Sequence, residues 1–184
     1  MIRYCLSDPK ATIFFRHIEA TYEDALFVTR WRNTEVSRNA FFCDDVVTPD
    51  SHLEFCRNRK LHDLVFMIHR DDTPIGMCSL TVDVKNRTAE YGRTVIDDTY
   101  KKMGYSTCAE IILLSYAFDF LRLDSLWGEV LESNVAVMGL HTKTGWVIDN
   151  TFERFCNKGK VIRILYNADM WKLNSERLIR DYSK

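Results

Sequence analysis

The stretch from Thr107 to Leu121 constrains the fold more than any other part of the chain, because it is apolar on nearly every side and holds neither proline nor glycine. A helix of that kind must be buried. Ser115 and Asp119 break it as a membrane span, so the burying surface has to be protein. That surface is supplied just upstream. Leu64–His69, Ile75–Val82 and Ala89–Ile96 are short, apolar and rich in strand-forming residues, and the turns Asp71-Asp72-Thr73-Pro74 and Asn86-Arg87 separate them. Connections this short make three consecutive antiparallel strands.

The remaining elements extend the same sheet. Thr12–His17 reads as a strand, and Thr21 is a helix cap with Asp24 three residues on, starting a helix from Tyr22 to about Trp31. A polar segment, Arg32–Arg38, leads to Phe41 and Phe42 in a loop or short helix. Thr48-Pro49-Asp50 then opens a second helix ending near Arg57. After the apolar helix come a strand Leu126–Leu131, a short helix Asn134–Thr142, and strands Trp146–Phe152 and Lys160–Tyr166. Strands mixed with helices in this order predict one α/β domain over residues 1–184, with no linker or repeat.

Charge and cysteine usage exclude several classes. Lys and Arg number 25 against 26 Asp and Glu, so no basic field is available to gather nucleic acid or anionic lipid. Cys5, Cys43, Cys56, Cys78, Cys108 and Cys156 are scattered without a CxxC, and His17, His52, His62, His69 and His141 are not spaced as metal ligands. No secretory leader is recognisable, so a reducing cytoplasm and no metal are expected. Walker A, GxGxxG, HExxH and GxSxG patterns are all absent.

The segment from Val95 to Thr107 joins a strand to the buried helix, and its last residues expose N–H groups at the helix's positive end. Lys101 and Lys102 add charge, Gly104 permits a tight turn or close approach, and Ser106 or Thr107 offers a hydroxyl. A diphosphate suits this combination; an ordinary capped loop is the alternative.

Two blocks carry a family resemblance. Lys101-Lys102-Met103-Gly104-Tyr105-Ser106-Thr107-Cys108-Ala109, preceded by Glu90-Tyr91-Gly92-Arg93-Thr94-Val95-Ile96, resembles the acyl-coenzyme-A-binding segment of GNAT-type N-acetyltransferases. Asn134 to Trp146 resembles that family's Asn, Ala, aromatic, Lys, Gly, aromatic block. The likeness covers Ile13 to Trp171 and implies a GNAT-like fold: a mixed, mostly antiparallel central sheet, helices on both faces, and splayed fourth and fifth strands. It further implies acetyl-CoA as cofactor. Backbone around Thr94, Val95 and Ile96 would meet the pantetheine arm; Lys101, Lys102, Met103, Gly104, Tyr105, Ser106 and Thr107 would surround the pyrophosphate; Asn134 would help at the next helix, or simply cap it. Lys101 stands where the family usually has Arg or Gln, and Ser106 where it has Gly or Ala.

The implied reaction is direct attack by a primary amine on the acyl thioester in a ternary complex. Glu90 is the first candidate for general base and Glu129 the competitor, since a one-residue slip reverses strand facing. His141 replaces the family's tyrosine acid and is either a proton donor or a packed groove histidine. The acceptor side falls to Trp31, Arg32, Asn33, Arg38, Phe41 and Phe42, with Trp31 and the phenylalanines alternatively in the core. Likeness to the ribosomal-protein N-terminal and nucleotide-amino-sugar branches leaves a nucleotide-linked amino sugar, a protein N-terminus or a polyamine as acceptor, and a homodimer as an open assembly. A non-catalytic acyl-CoA-binding module is the alternative of a different class.

Overall fold

The computed structural model describes residues 2–8 and 11–182, with side chains from Thr12 to Tyr182. Nine strands form one sheet in the order β1-β2-β3-β4-β5-β6-β9-β7, with β8 paired to β9. In chain order the strands are β1 (Ile2–Asp8), β2 (Ala11–His17), β3 (Asp63–Arg70), β4 (Thr73–Asp83), β5 (Thr88–Ile96), β6 (Ser125–Leu131), β7 (Val147–Ile148), β8 (Arg154–Cys156) and β9 (Gly159–Asn167). Every pairing is antiparallel except β5 with β6, which is parallel. Because β1 precedes the first strand expected from sequence, the expected fourth and fifth strands are β5 and β6.

The helices are α1 (Tyr22–Arg32), α2 (Glu35–Ala40), α3 (Pro49–Asn58), α4 (Tyr105–Ser115), α5 (Val135–Thr144) and α6 (Ala168–Tyr182). Their starts follow the caps. Thr21 Oγ1 accepts from the Asp24 N–H at 3.3 Å, and Thr48 and Ser51 cap each other reciprocally ahead of Pro49. The Phe41-Phe42 pair follows α2, which forms once the Thr34 hydroxyl accepts from the Ser37 N–H. The apolar helix is buried as expected but begins at Tyr105 and continues past Ser115 as a π-helical turn, Tyr116–Phe120. The single strand expected over Trp146–Phe152 is instead the two-residue β7, a turn, and the separate β8. The Thr151 N–H and hydroxyl both bond Asp149 Oδ1, which makes the turn.

Strand alternation sorts the core into two layers. Val65 and Met67 join Met77, Val95, Val28 and Trp31 beneath α1 and α3. Phe66 and Ile68 face the other way, into the larger cluster that contains Ile111, Ile112, Leu113, Leu114 and, from α6, Trp171 and Leu178.

Candidate active site

The site begins where the parallel ladder ends. β5 and β6 pair only at Thr88↔Ser125, Ala89↔Leu126 and Glu90↔Trp127, although β5 runs on to Ile96 and β6 to Leu131. The next position of β6 is Gly128, where an added Cβ would stand 3.1 Å from the Tyr91 carbonyl oxygen, so the strands part at their closest backbone approach. Along Thr94, Val95 and Ile96 the edge of β5 is therefore free of the β6 ladder. The side chains of Val95 and Ile96 are buried, leaving the backbone as the part that can meet a ligand.

A bulge re-aims β5 just above that point. Gly92 pairs with Ser79 and Val95 with Met77, leaving one extra residue on β5, and Arg93 takes a φ of 51°. Arg93 Nη1 donates to Asp63 Oδ1 at 2.6 Å, and its guanidinium carbon lies 5.3 Å from the centre of the Phe55 ring.

The loop after β5 delivers an open helix end. Asp97 anchors it, accepting from the Thr99 N–H and hydroxyl and from Trp31 Nε1 at 2.9 Å. These donors, with Arg30, hold the Asp97 carboxyl below the usual carboxylate range despite its burial. Gly104 then occupies the cap position of α4 at φ 87° with no side-chain cap, so the first N–H groups of α4 keep no local acceptor. An added Cβ at Gly104 meets nothing within 4 Å; the glycine is required by the left-handed backbone and not by crowding within the protein itself. Lys101 is tied to Asp98 at 2.5 Å, Lys102 and Met103 are exposed, and Ser106 is half-buried. The Tyr105 and Thr107 side chains are buried, so only their backbone can face an anion.

On the α1–α3 face the two candidate carboxylates have different surroundings. Glu129 is held by two guanidiniums, Arg154 and Arg163, each at 2.7 Å. Among the described residues Glu90 has no such partner. Its residue stays open to the groove, yet crowding pushes its carboxyl above the usual glutamate range; Glu129 and Asp63 add to the rise while Arg93 and Arg154 oppose it. A groove of about 480 Å³ runs past Glu90, Thr81, Thr88 and Trp127, and meets at His62 and Thr81 a second of about 500 Å³ under Phe55 and Asn58.

The other expected acceptor residues divide. Trp31 is core, 2% exposed, and supports the loop through Asp97. The Asn33 amide is used up on the Val47 backbone, at 2.7 and 2.9 Å. Arg32 stacks on Phe41 at 3.6 Å, its Nε buried without a partner, and burial with the nearby Arg93 charge lowers its pKa. Phe42 lies under the Arg154 guanidinium at 4.8 Å, and Arg38 is exposed. Lys158, in the β8–β9 turn, clamps this rim by donating to the Arg38 and Phe41 carbonyls at 2.6 and 2.7 Å.

Asn134 caps α5, its Oδ1 accepting from the Val137 N–H at 3.3 Å. His141 is 2% exposed, with Nδ1 3.0 Å from Glu110 Oε1 and its ring edge-on to Tyr91 at 5.5 Å, so it lies behind the opening and not on its wall. Sequence reasoning missed Glu110, Asp63, Arg154, Arg163 and Lys158. Only Glu110 left a signal, as the one charged residue within Tyr105–Ser115.

A strand pair that parts above an uncapped helix N-terminus leaves backbone groups free for an extended anionic ligand. The acetyltransferase (GNAT) domain model matches residues 12–147. The chain belongs to this family. As a GNAT acetyltransferase it is an acetyl-CoA-dependent N-acetyltransferase. It is 26% identical over 146 residues to acetyltransferase PseH from Campylobacter jejuni, which is 76% of this chain and 89% of that one. Spermidine N-acetyltransferase from Vibrio cholerae, solved with CoA and spermine, is similar with a TM-score of 0.78 at 18% identity, over 87% of this chain and 98% of that one. A dodecameric structure of spermidine N-acetyltransferase from the same organism gives 0.70 at 19% identity, over 88% and 96%. At those identities the solved structures establish the fold. Among the described residues no helix is long and apolar enough to cross a membrane.

Proposed function

We propose that this GNAT acetyltransferase acetylates the primary amine of an acceptor whose remainder is anionic, in the class of nucleotide-diphosphate amino sugars. The observation that carries the reading is a surplus of guanidinium around Glu90. Arg93 and Arg154 act on Glu90, Arg163 shares Glu129 with Arg154, and Arg32 lies near Arg93; among the described residues Asp63 and Glu129 are the carboxylates that pair with them. A polycation would be repelled there, whereas a diphosphate could take over guanidinium bonds. Phe42 and Phe55 beside the guanidiniums offer faces on which a base can stack.

The chain's residues fit acetyl-CoA, through the open β5 edge and the uncapped start of α4. The N–H groups that follow Gly104, with Lys102, would hold the pyrophosphate; the backbone of Thr94 to Ile96 would align the pantetheine arm; Asn134 stays a cap at the neighbouring helix. When bound, acetyl-CoA supplies an acyl group already activated as a thioester. Glu90 takes the ammonium proton of the acceptor, directly or through a water, and burial, with Glu129 and Asp63 nearby, raises its carboxyl above the usual glutamate range. Glu129, neutralised twice, instead fixes Arg154 and Arg163. His141 packs edge-on behind Tyr91.

Thiol release from acetyl-CoA tests this with three amine classes: a nucleotide-diphosphate amino sugar, an N-terminal peptide and spermidine. Turnover of the nucleotide sugar with little from spermidine is expected. Preference for spermidine would overturn the acceptor assignment, and acetyl-CoA binding without turnover of any amine would favour a non-catalytic binding module.

A further inference from the structure

We propose that Glu110 is a positioning residue for acetyl transfer, holding His141 by Nδ1 so that the ring keeps one orientation and one tautomer behind the point where β5 and β6 part. The inference rests on the reading above, in which acetyl transfer takes place where β5 and β6 part, in front of Tyr91 and His141.

The arrangement begins with a charge in an unlikely place. Glu110 is the one charged residue of α4, sits mid-helix among isoleucines and leucines, and is 1% exposed. A buried carboxylate is retained only when its partners compensate for lost water. Both partners come from the last turn of α5: His141 Nδ1 lies 3.0 Å from Oε1, and the Thr144 hydroxyl donates to the same oxygen at 2.8 Å. Oε2 has no partner. The carboxylate therefore joins the helix that begins at the anion loop to the helix capped by Asn134.

The far side of the imidazole packs against the residue that separates it from the opening. Its ring stands perpendicular to Tyr91, the residue directly after the last β5–β6 pair and three before Thr94 on the open stretch of β5. Trp146 closes the third side at 5.3 Å. With Nδ1–H committed to the carboxylate, the neutral ring carries its lone pair on Nε2.

The other titratable groups packed here leave Glu110 as the negative charge that acts on the ring. Tyr91 from β5 is pushed well up by burial and by Glu110, and Cys78 from β4 is pushed up by burial. Tyr166 from β9, beyond Trp146, is pushed up to about 12, and Arg177 from α6 lies on its far side. All three acids are neutral at neutral pH.

The test compares wild type, Glu110→Gln, His141→Phe and Thr144→Val in three measurements. These are the His141 tautomer by NMR of labelled histidine, acetyl-CoA affinity by calorimetry, and kcat with the KM of the acceptor. In Glu110→Gln the single Nδ1–H tautomer should give way to a mixture, and kcat should fall about tenfold. Acetyl-CoA affinity should stay within about twofold. Thr144→Val keeps the carboxylate, so the Nδ1–H tautomer should stay; if Glu110→Gln does not fold, a single Nδ1–H tautomer in wild type and in Thr144→Val supports the inference, and a mixture in wild type overturns it. An unchanged tautomer and kcat in Glu110→Gln, with His141→Phe slow, overturns this inference alone. An unslowed His141→Phe overturns it as well, and no thiol release with any amine overturns the reading beneath it.

Discussion

The two faces of the sheet treat charge in opposite ways. Behind β5, one carboxylate, Glu110, is sealed from solvent and shared between His141 and Thr144. In front of it, Asp63 and Glu129 meet Arg93, Arg154 and Arg163 in pairs that keep up to 42% side-chain exposure. A sealed pair cannot exchange partners without a large desolvation penalty, so it sets geometry. Half-open pairs are worth little individually, so an incoming anion can displace a carboxylate at small cost. In the proposed assignment the donor face is rigid in its electrostatics, and the acceptor face can be rearranged by an incoming anion.

Removing the base should break the comparison most sharply. Glu90→Gln should lower kcat about 10²–10³-fold with acetyl-CoA affinity preserved, as expected for loss of proton abstraction. In wild type, activity should fall on the acid side through a pKa above the ordinary glutamate value, because Glu90 must be ionised to act and its surroundings raise its pKa. A kcat–pH profile with its acid limb at ordinary glutamate pH, or Glu90→Gln within about threefold of wild type, would remove Glu90 from the reaction.

The donor face is tested next. Gly104→Val forces a β-branched residue into φ 87°, a strain of about 1–2 kcal/mol, and places methyl groups where a pyrophosphate would approach. Acetyl-CoA should bind at least about tenfold more weakly by calorimetry. Equal affinity would move the anion site away from this loop.

On the acceptor side, Arg32→Ala should raise KM for a nucleotide amino sugar about tenfold with kcat nearly unchanged, because the lost guanidinium binds ground and transition states alike. The same variant should leave KM for an uncharged amine in place. A matching rise for both acceptors would mean that Arg32 supports the Phe41 rim and not an anion.

How much of this was legible in the sequence depends on how local each determinant is. Caps at Thr21, Thr48 and Asn134 and the glycine at Gly104 act within a turn, and α1, α3, α5 and the glycine turn ahead of α4 could be read directly. Strand facing is set by register, so Glu90 and Glu129 stayed equivalent until pairing across β9 brought Arg163 opposite Glu129. Asn33 looked like a ligand because nothing local shows that its amide reaches Val47, fourteen residues on. The rim was hidden for the same reason: Lys158 meets Arg38 and Phe41 from the far end of the chain. His141 read as a site residue by position, yet its meaning rests on Glu110, thirty-one residues earlier and outside any motif.

The smallest effect carries the most exact sign. Glu129 raises the pKa of Glu90 through its charge and at the same time occupies Arg154 and Arg163. Glu129→Gln removes both influences. The Glu90 pKa should drop, so the acid limb of kcat should move to lower pH by less than about one unit, since the charge acts across a half-open groove. The two freed guanidiniums should hold an anionic acceptor slightly better, lowering its KM, while kcat on the plateau stays within about threefold. Were Glu129 the base, the same substitution would abolish the plateau and leave no limb to follow. The direction of that limb in Glu129→Gln therefore separates the two carboxylates more cleanly than either loss of activity alone, because only a neighbour can shift the titration of a base that survives.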